Sequence, residues 1–140
     1  MSRFVVDASV AMKWLIPEPY TEAAEELLDP AHVLLAPDLL YAEIGNALWK
    51  RVGRRELHRE EALPLLAILH QFPLNLTSMQ VLADAALDLA LELNCTVYDA
   101  AYLVLAVHDE CRLVTADRRL QNAASRHGLG RHVAWLPSLN

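Results

Sequence analysis

With 140 residues, 54% of them hydrophobic, the chain has the length of one ordinary domain and can bury a core without disulfides or a structural metal. Apolar runs such as Leu63 to Leu69 and Leu103 to Val107 are too short to span a bilayer, and Ser2 to Val6 does not read as a signal segment. The expectation is a single cytoplasmic domain over residues 1–140 with no membrane partner, in which Cys95 and Cys111, lacking CxxC spacing, are packed free thiols.

In chain order, Arg3 to Val6 is a β-rich run ending at Asp7, and a helix-period segment follows from Ala8 to Ile16, stopped by Pro17 and Pro19. Thr21 to Leu28 reads as a second helix, with Thr21 near its start but Ala24 where a capping box places an acid. Val33 to Ala36 is a second strand, bounded by Pro37. Asp38 to Val52 carries Leu39, Leu40, Ile44, Ala47 and Leu48 at helical spacing, with Gly53 as the expected stop.

Arg59 to Phe72 is helical in pattern, with Pro64 in its first turn or at a kink. Leu74 to Thr77 is a third short strand. Ser78 caps a helix running to Leu93, with Val81, Ala85, Leu89 and Leu93 on the expected buried face. Tyr98 to His108 is apolar nearly all round, the mark of a helix buried on most sides. A strand over Arg112 to Thr115, a polar-faced helix over Asp117 to His127 and a strand over Val133 to Trp135 complete the chain. Short β-branched strands alternating with helices predict a three-layer α/β/α sandwich around a mainly parallel sheet, with right-handed crossovers.

In such sheets ligands bind at the carboxyl ends of the strands. Asp7 directly follows a predicted strand and Asp117 follows one after the turn residue Ala116, and each is also placed to cap the next helix. Glu43 lies between Leu40 and Ala47 on or beside the apolar face of its helix, and Asn46 follows three residues later. Asp99 opens an almost wholly apolar helix, where an ionised carboxylate needs a donor or a cation. Carboxylates about 4 Å apart repel by roughly 4 kcal/mol per pair at an effective dielectric of about 20, so a cluster of four calls for a hard divalent cation. Oxygen ligands select Mg²⁺ or Mn²⁺ over zinc, and the six histidines show no HExxH spacing. Acidic clusters of this kind suit phosphodiester hydrolysis by metal-activated water, and GxSxG, a Walker loop and GxGxxG are all missing from the chain.

The net charge of −6 argues on its face against a nucleic-acid partner. The basic residues are unevenly spread, however: Lys50, Arg51, Arg54, Arg55 and Arg59 cluster in one segment, and Arg118 and Arg119 adjoin Asp117. They are candidate contacts for an RNA backbone, against the plainer reading of a solvated helix end. Trp14, Trp49 and Trp135 are read as packing residues rather than base-stacking ones.

The segments VVDASVAMKWL, APDLLYAEIGNALWK, TVYDAAYLVLA and LVTADRRLQNAA together resemble the sequence blocks of the PIN-domain nucleases, and within them the VapC-type toxins of prokaryotic toxin–antitoxin pairs. The blocks come in family order over nearly the whole chain. The resemblance implies that Asp7, Glu43, Asp99 and Asp117 bind metal, with Ser9, Asn46 and Thr115 in support. It also implies a Mg²⁺- or Mn²⁺-dependent endoribonuclease, a homodimer, and a small VapB-like antitoxin that blocks the active groove. RNA rather than DNA rests on the resemblance alone.

Two other readings keep the fold: a housekeeping RNA-processing nuclease and an inactive PIN-like binding module. Loss of an acid is the usual sign of the second, and all four are present. A haloacid-dehalogenase-like phosphatase is disfavoured because Ser9 stands where that chemistry wants a second Asp, and a receiver domain because no strand-borne Lys follows Thr115.

Overall fold

The structure is a computed structural model that describes residues 2–139. Five strands, β1 (Ser2–Val6), β2 (His32–Pro37), β3 (Leu74–Thr77), β4 (Arg112–Thr115) and β5 (Val133–Trp135), form one sheet in the order β3-β2-β1-β4-β5, and every pair is parallel. Seven helices alternate with them: α1 (Ala8–Leu15), α2 (Thr21–Glu26), α3 (Leu39–Gly53), α4 (Arg59–Leu69), α5 (Met79–Leu93), α6 (Val97–His108) and α7 (Arg118–Arg126).

The alternation of side chains along the strands feeds two cores. Val5, Leu35, Leu113 and Val133 face a large one with Ile44 and Leu48 of α3, Tyr102 and Leu105 of α6, and Leu120 of α7. Phe4, Val6, Leu34, Val114 and Ala134 face a smaller one closed by Val10 of α1, Ala24 of α2, Leu27 and Leu136. Strands buried on both faces are what a continuous run such as Phe4-Val5-Val6 requires, and this is the expected α/β/α sandwich. Among the described residues no single helix is long and apolar enough to cross a membrane.

β1 lies at the centre of the sheet. The chain leaves it for β2 on one side and returns at β4 on the other, so the strand order reverses between β1 and β4. The crevice beyond the carboxyl ends of those two strands is where ligands bind in open parallel sheets.

Local details depart from the sequence expectations. α5 buries Leu82, Ala86, Ala90 and Leu93, whereas Val81 is 73% exposed. The buried face lies one residue on from the expected one because Ala86 and Ala90 meet Ala100 and Ala101 of α6, and small side chains let the two helices approach closely. Gly53 is the last residue of α3 rather than its left-handed stop; Arg55, with φ 61°, takes that conformation. Tyr20, not Thr21, holds the N-cap of α2, and the Thr21 hydroxyl accepts from the Glu18 amide at 2.9 Å. Pro64 sits inside α4, beyond its first turn, and the helix ends at Leu69, short of Phe72. Asp99 does not open α6: Thr96 caps it, accepting from the Asp99 amide at 3.1 Å.

Candidate active site

Parallel pairing sets Val6 beside Val114, and the next residues of both strands, Asp7 and Thr115, meet at the carboxyl edge of the sheet. Asp7 is 5% exposed and uses both oxygens. Oδ1 accepts from the Ser9 hydroxyl at 2.6 Å and from the Val10 amide at 3.2 Å, while Oδ2 accepts from the Thr115 hydroxyl. The cap and the buried carboxylate are therefore one residue in two roles. Ser9 in turn accepts from the Ala116 amide at 2.9 Å, so it ties the start of α1 to the exit of β4.

Asp117 divides its oxygens between two roles in the same way. Oδ1 caps α7 through the amides of Arg119 at 3.0 Å and Leu120 at 3.4 Å, and Oδ2 faces the Arg119 guanidinium at 3.4 Å. The Asp117 amide donates to Thr115 Oγ1 at 2.9 Å, so a single buried hydroxyl joins Asp7 to Asp117. Asp99, in the first turn of α6, accepts from the same Arg119 nitrogen at 2.9 Å. Glu43 projects from the second turn of α3 and accepts from the Tyr102 hydroxyl at 2.6 Å. Tyr102 lies three residues beyond Asp99, on the same side of α6, which brings the fourth acid to the group.

Burial governs the electrostatics. It raises the Asp7 carboxyl to about 6, against the bonds from Ser9, Thr115 and Val10, and the nearby Asp117 charge adds to the rise. Glu43 is pushed up by burial and by Asp99, with the Tyr102 bond opposing. Burial and then the Glu43 charge hold the Tyr102 phenol far above its usual range, so it stays protonated as a donor. The bond to Asp99, ahead of its charge and that of Asp117, raises the already high Arg119 pKa.

The four acids gather along one rim, two of them raised in pKa chiefly by burial, and their all-oxygen chemistry is of the kind that suits a hard divalent ion. Among the described residues no three Asp, Glu, His or Cys side chains stand ready around one ion-sized point. Arg119 bears on this directly, since its guanidinium stands between Asp99 and Asp117 on a side chain that is 64% exposed. Beside the rim, Glu43, Asn46, Ala8, Lys50 and Tyr98 line an open cavity of about 460 Å³.

Residues 4–125 match the family described as PIN domain. The chain belongs to that family. It is 38% identical over 120 residues to ribonuclease VapC3 of Pyrobaculum aerophilum, covering 84% of this chain and 92% of that protein. It is 30% identical over 125 residues to ribonuclease VapC1 of Mycobacterium tuberculosis, covering 88% and 92%. A crystal structure of a Pyrobaculum aerophilum protein superposes with a TM-score of 0.66 at 25% identity, covering 87% of this chain and 79% of the other. These likenesses place the chain with the VapC-type members of the PIN-domain family.

Within this PIN domain the basic residues named from sequence are differently engaged. Arg51 is paired with Glu18, and Arg118 stacks over Trp135 at 4.2 Å and donates to Gln121 at 2.9 Å. Arg54, Arg55 and Arg59 are exposed, and Arg119 is held by the acids. Of the tryptophans, Trp14 packs on Phe72 and donates to the Ala24 carbonyl at 2.7 Å, whereas Trp49 is 70% exposed.

Sequence reasoning passed over one site residue, Tyr102, and one buried cation, Lys13. Tyr102 had a signal: a hydroxyl inside AAYLVLAV must find an acceptor once buried. Lys13 had one as well, a lone cation in an apolar helix, and it is buried against Glu18 at 3.2 Å.

Proposed function

We propose that this chain is a divalent-metal-dependent endoribonuclease of the VapC type, the toxin of a VapBC-type pair, acting in the cytoplasm. Asp7, Glu43, Asp99 and Asp117 are its metal ligands and catalytic acids, with Ser9, Asn46 and Thr115 in support. The observation that carries the reading is the meeting of four acids, distant in sequence, at the switch point of a parallel sheet. RNA as substrate is supported by two relatives that are both named ribonucleases.

A bound Mg²⁺ or Mn²⁺ supplies electrostatic stabilisation to the phosphodiester and a lowered pKa to water. The chain's own residues hold the geometry. Ser9 and Thr115 fix both oxygens of Asp7 so that its carboxylate cannot rotate away. Tyr102 orients Glu43 and, staying protonated, leaves it only as an acceptor. Asn46 lines the Glu43 cavity, where its amide can donate to a ribose or phosphate oxygen.

The protein is a homodimer in this reading and is inhibited by a small VapB-like antitoxin. Purified, antitoxin-free protein is expected to cleave single-stranded RNA with Mg²⁺ or Mn²⁺, to fall silent in EDTA, and to lose cleavage in the Asp7→Asn variant. Equal cleavage by wild type and variant would remove the assignment.

A further inference from the structure

Lys13, on the last turn of α1 and 9% exposed, is the only buried cationic side chain among the described residues. Its Nζ donates to Glu18 Oε1 at 3.2 Å, and Arg51 of α3 pairs with the other oxygen of the same carboxylate. One acid thus serves two cations, which leaves the spot positive. These residues floor a trough of about 300 Å³ whose rim carries the exposed Lys50 and Arg54.

The trough starts at the acidic rim. Ser9, which binds Asp7, and Ala116, which precedes Asp117, line its near end. It also shares Ala47 and Lys50 with the cavity that holds Glu43 and Asn46. Along α3 and its C-cap the positions Glu43, Ala47, Lys50 and Arg54 follow one another at helical spacing, and about 16 Å separates the first from the last. Charge changes sign along that series, from carboxylate to cations.

We propose that this trough is a phosphate subsite. It receives a backbone phosphate of single-stranded RNA adjoining the phosphodiester that reaches the four acids, with Lys13 and Arg51 as its floor and Lys50 and Arg54 as its rim. The inference rests on the ribonuclease reading. Four cations against one carboxylate select a polyanion, and continuity with the acidic rim selects a phosphate on the same strand over a free ion. Glu18 pre-positions two of the cations, so fewer side chains have to be ordered when the strand binds. Phosphate contacts of this kind set the register of a strand without reading its sequence.

The test is binding of a fluorescein-labelled single-stranded RNA of mixed sequence by anisotropy, in EDTA, across a salt series. The Lys50→Ala/Arg54→Ala double variant changes only exposed side chains. It should bind about tenfold more weakly at low salt, and the slope of log Kd against log salt should fall by about 0.7 for each phosphate that is no longer neutralised. Arg3→Ala, at the amino end of β1 where Arg3 pairs with Asp109 at 3.0 Å, should bind as wild type does. Cleavage of the same RNA by wild type in Mg²⁺ is measured alongside. No cleavage overturns the ribonuclease reading and the subsite with it; cleavage with an unchanged slope in the double variant overturns the subsite alone.

Discussion

Arg119 and Asp99 are joined by a 2.9 Å ion pair, and the same guanidinium nitrogen lies 3.4 Å from Asp117, so an internal cation stands where two acids would otherwise face each other. A divalent ion taken up by those acids has to displace it. Arg119→Gln is therefore expected to bind Mn²⁺ more tightly than wild type. The pair is exposed and screened, so the gain is small, about two- to fivefold in Kd, readable by calorimetric titration. Weaker Mn²⁺ binding in the variant would show that Arg119 supports the centre instead of competing for it.

Tyr102→Phe keeps the packing of a side chain that is 2% exposed and removes only the donor to Glu43. Glu43 then loses the bond that offsets its raised pKa and is free to turn. Metal affinity or cleavage rate should drop about tenfold or more, as for other residues that orient a ligand, while circular dichroism stays native.

Thr115→Val conserves shape at a fully buried position and deletes three hydrogen bonds, one to Asp7, one from the Asp117 amide and one shared with the Ser9 hydroxyl at 3.4 Å. The variant should lose about 1–3 kcal/mol of stability in urea unfolding and much of its cleavage. Full activity would mean that Asp7 is held well enough by Ser9 and Val10.

The Asp7 carboxyl, at about 6 in the fold against 3.8 for the free side chain, makes a signed prediction for the metal-free protein. Between those values the folded state holds the proton more tightly than the unfolded one. The stabilisation is complete below pH 3.8 and is lost as pH rises through 6, a change on the order of 3 kcal/mol from this group. Subtracting the urea stability of Asp7→Asn from that of wild type across pH 3.5–7 isolates the effect. A difference that grows more favourable to wild type with rising pH would contradict it.

The strands, and the four acids as candidates, are legible in the sequence because each rests on a local pattern: β-branched runs, Asp after a strand, Glu on an apolar helix face. Less legible was whatever depended on which element packs against which. The face of α5 was set by the alanines of α6, and Ser78 to Leu93 contains two helical stripes that periodicity alone cannot separate. An Asp at a strand exit reads equally as a helix cap or a site residue, and Asp7 and Asp117 are caps and members of a shared network at once. The links Thr115 to Asp7, Arg119 to Asp99 and Tyr102 to Glu43 span 108, 20 and 59 residues, and nothing local announces them.

The proposed activity depends on the four acids gripping one shared centre, and Mn²⁺ binding followed by electron paramagnetic resonance tests it most directly. Wild type should remove Mn²⁺ from solution in a saturable titration, and Asp7→Asn, Glu43→Gln, Asp99→Asn and Asp117→Asn should each weaken that binding about tenfold or more. Four variants that bind Mn²⁺ as wild type does would contradict it.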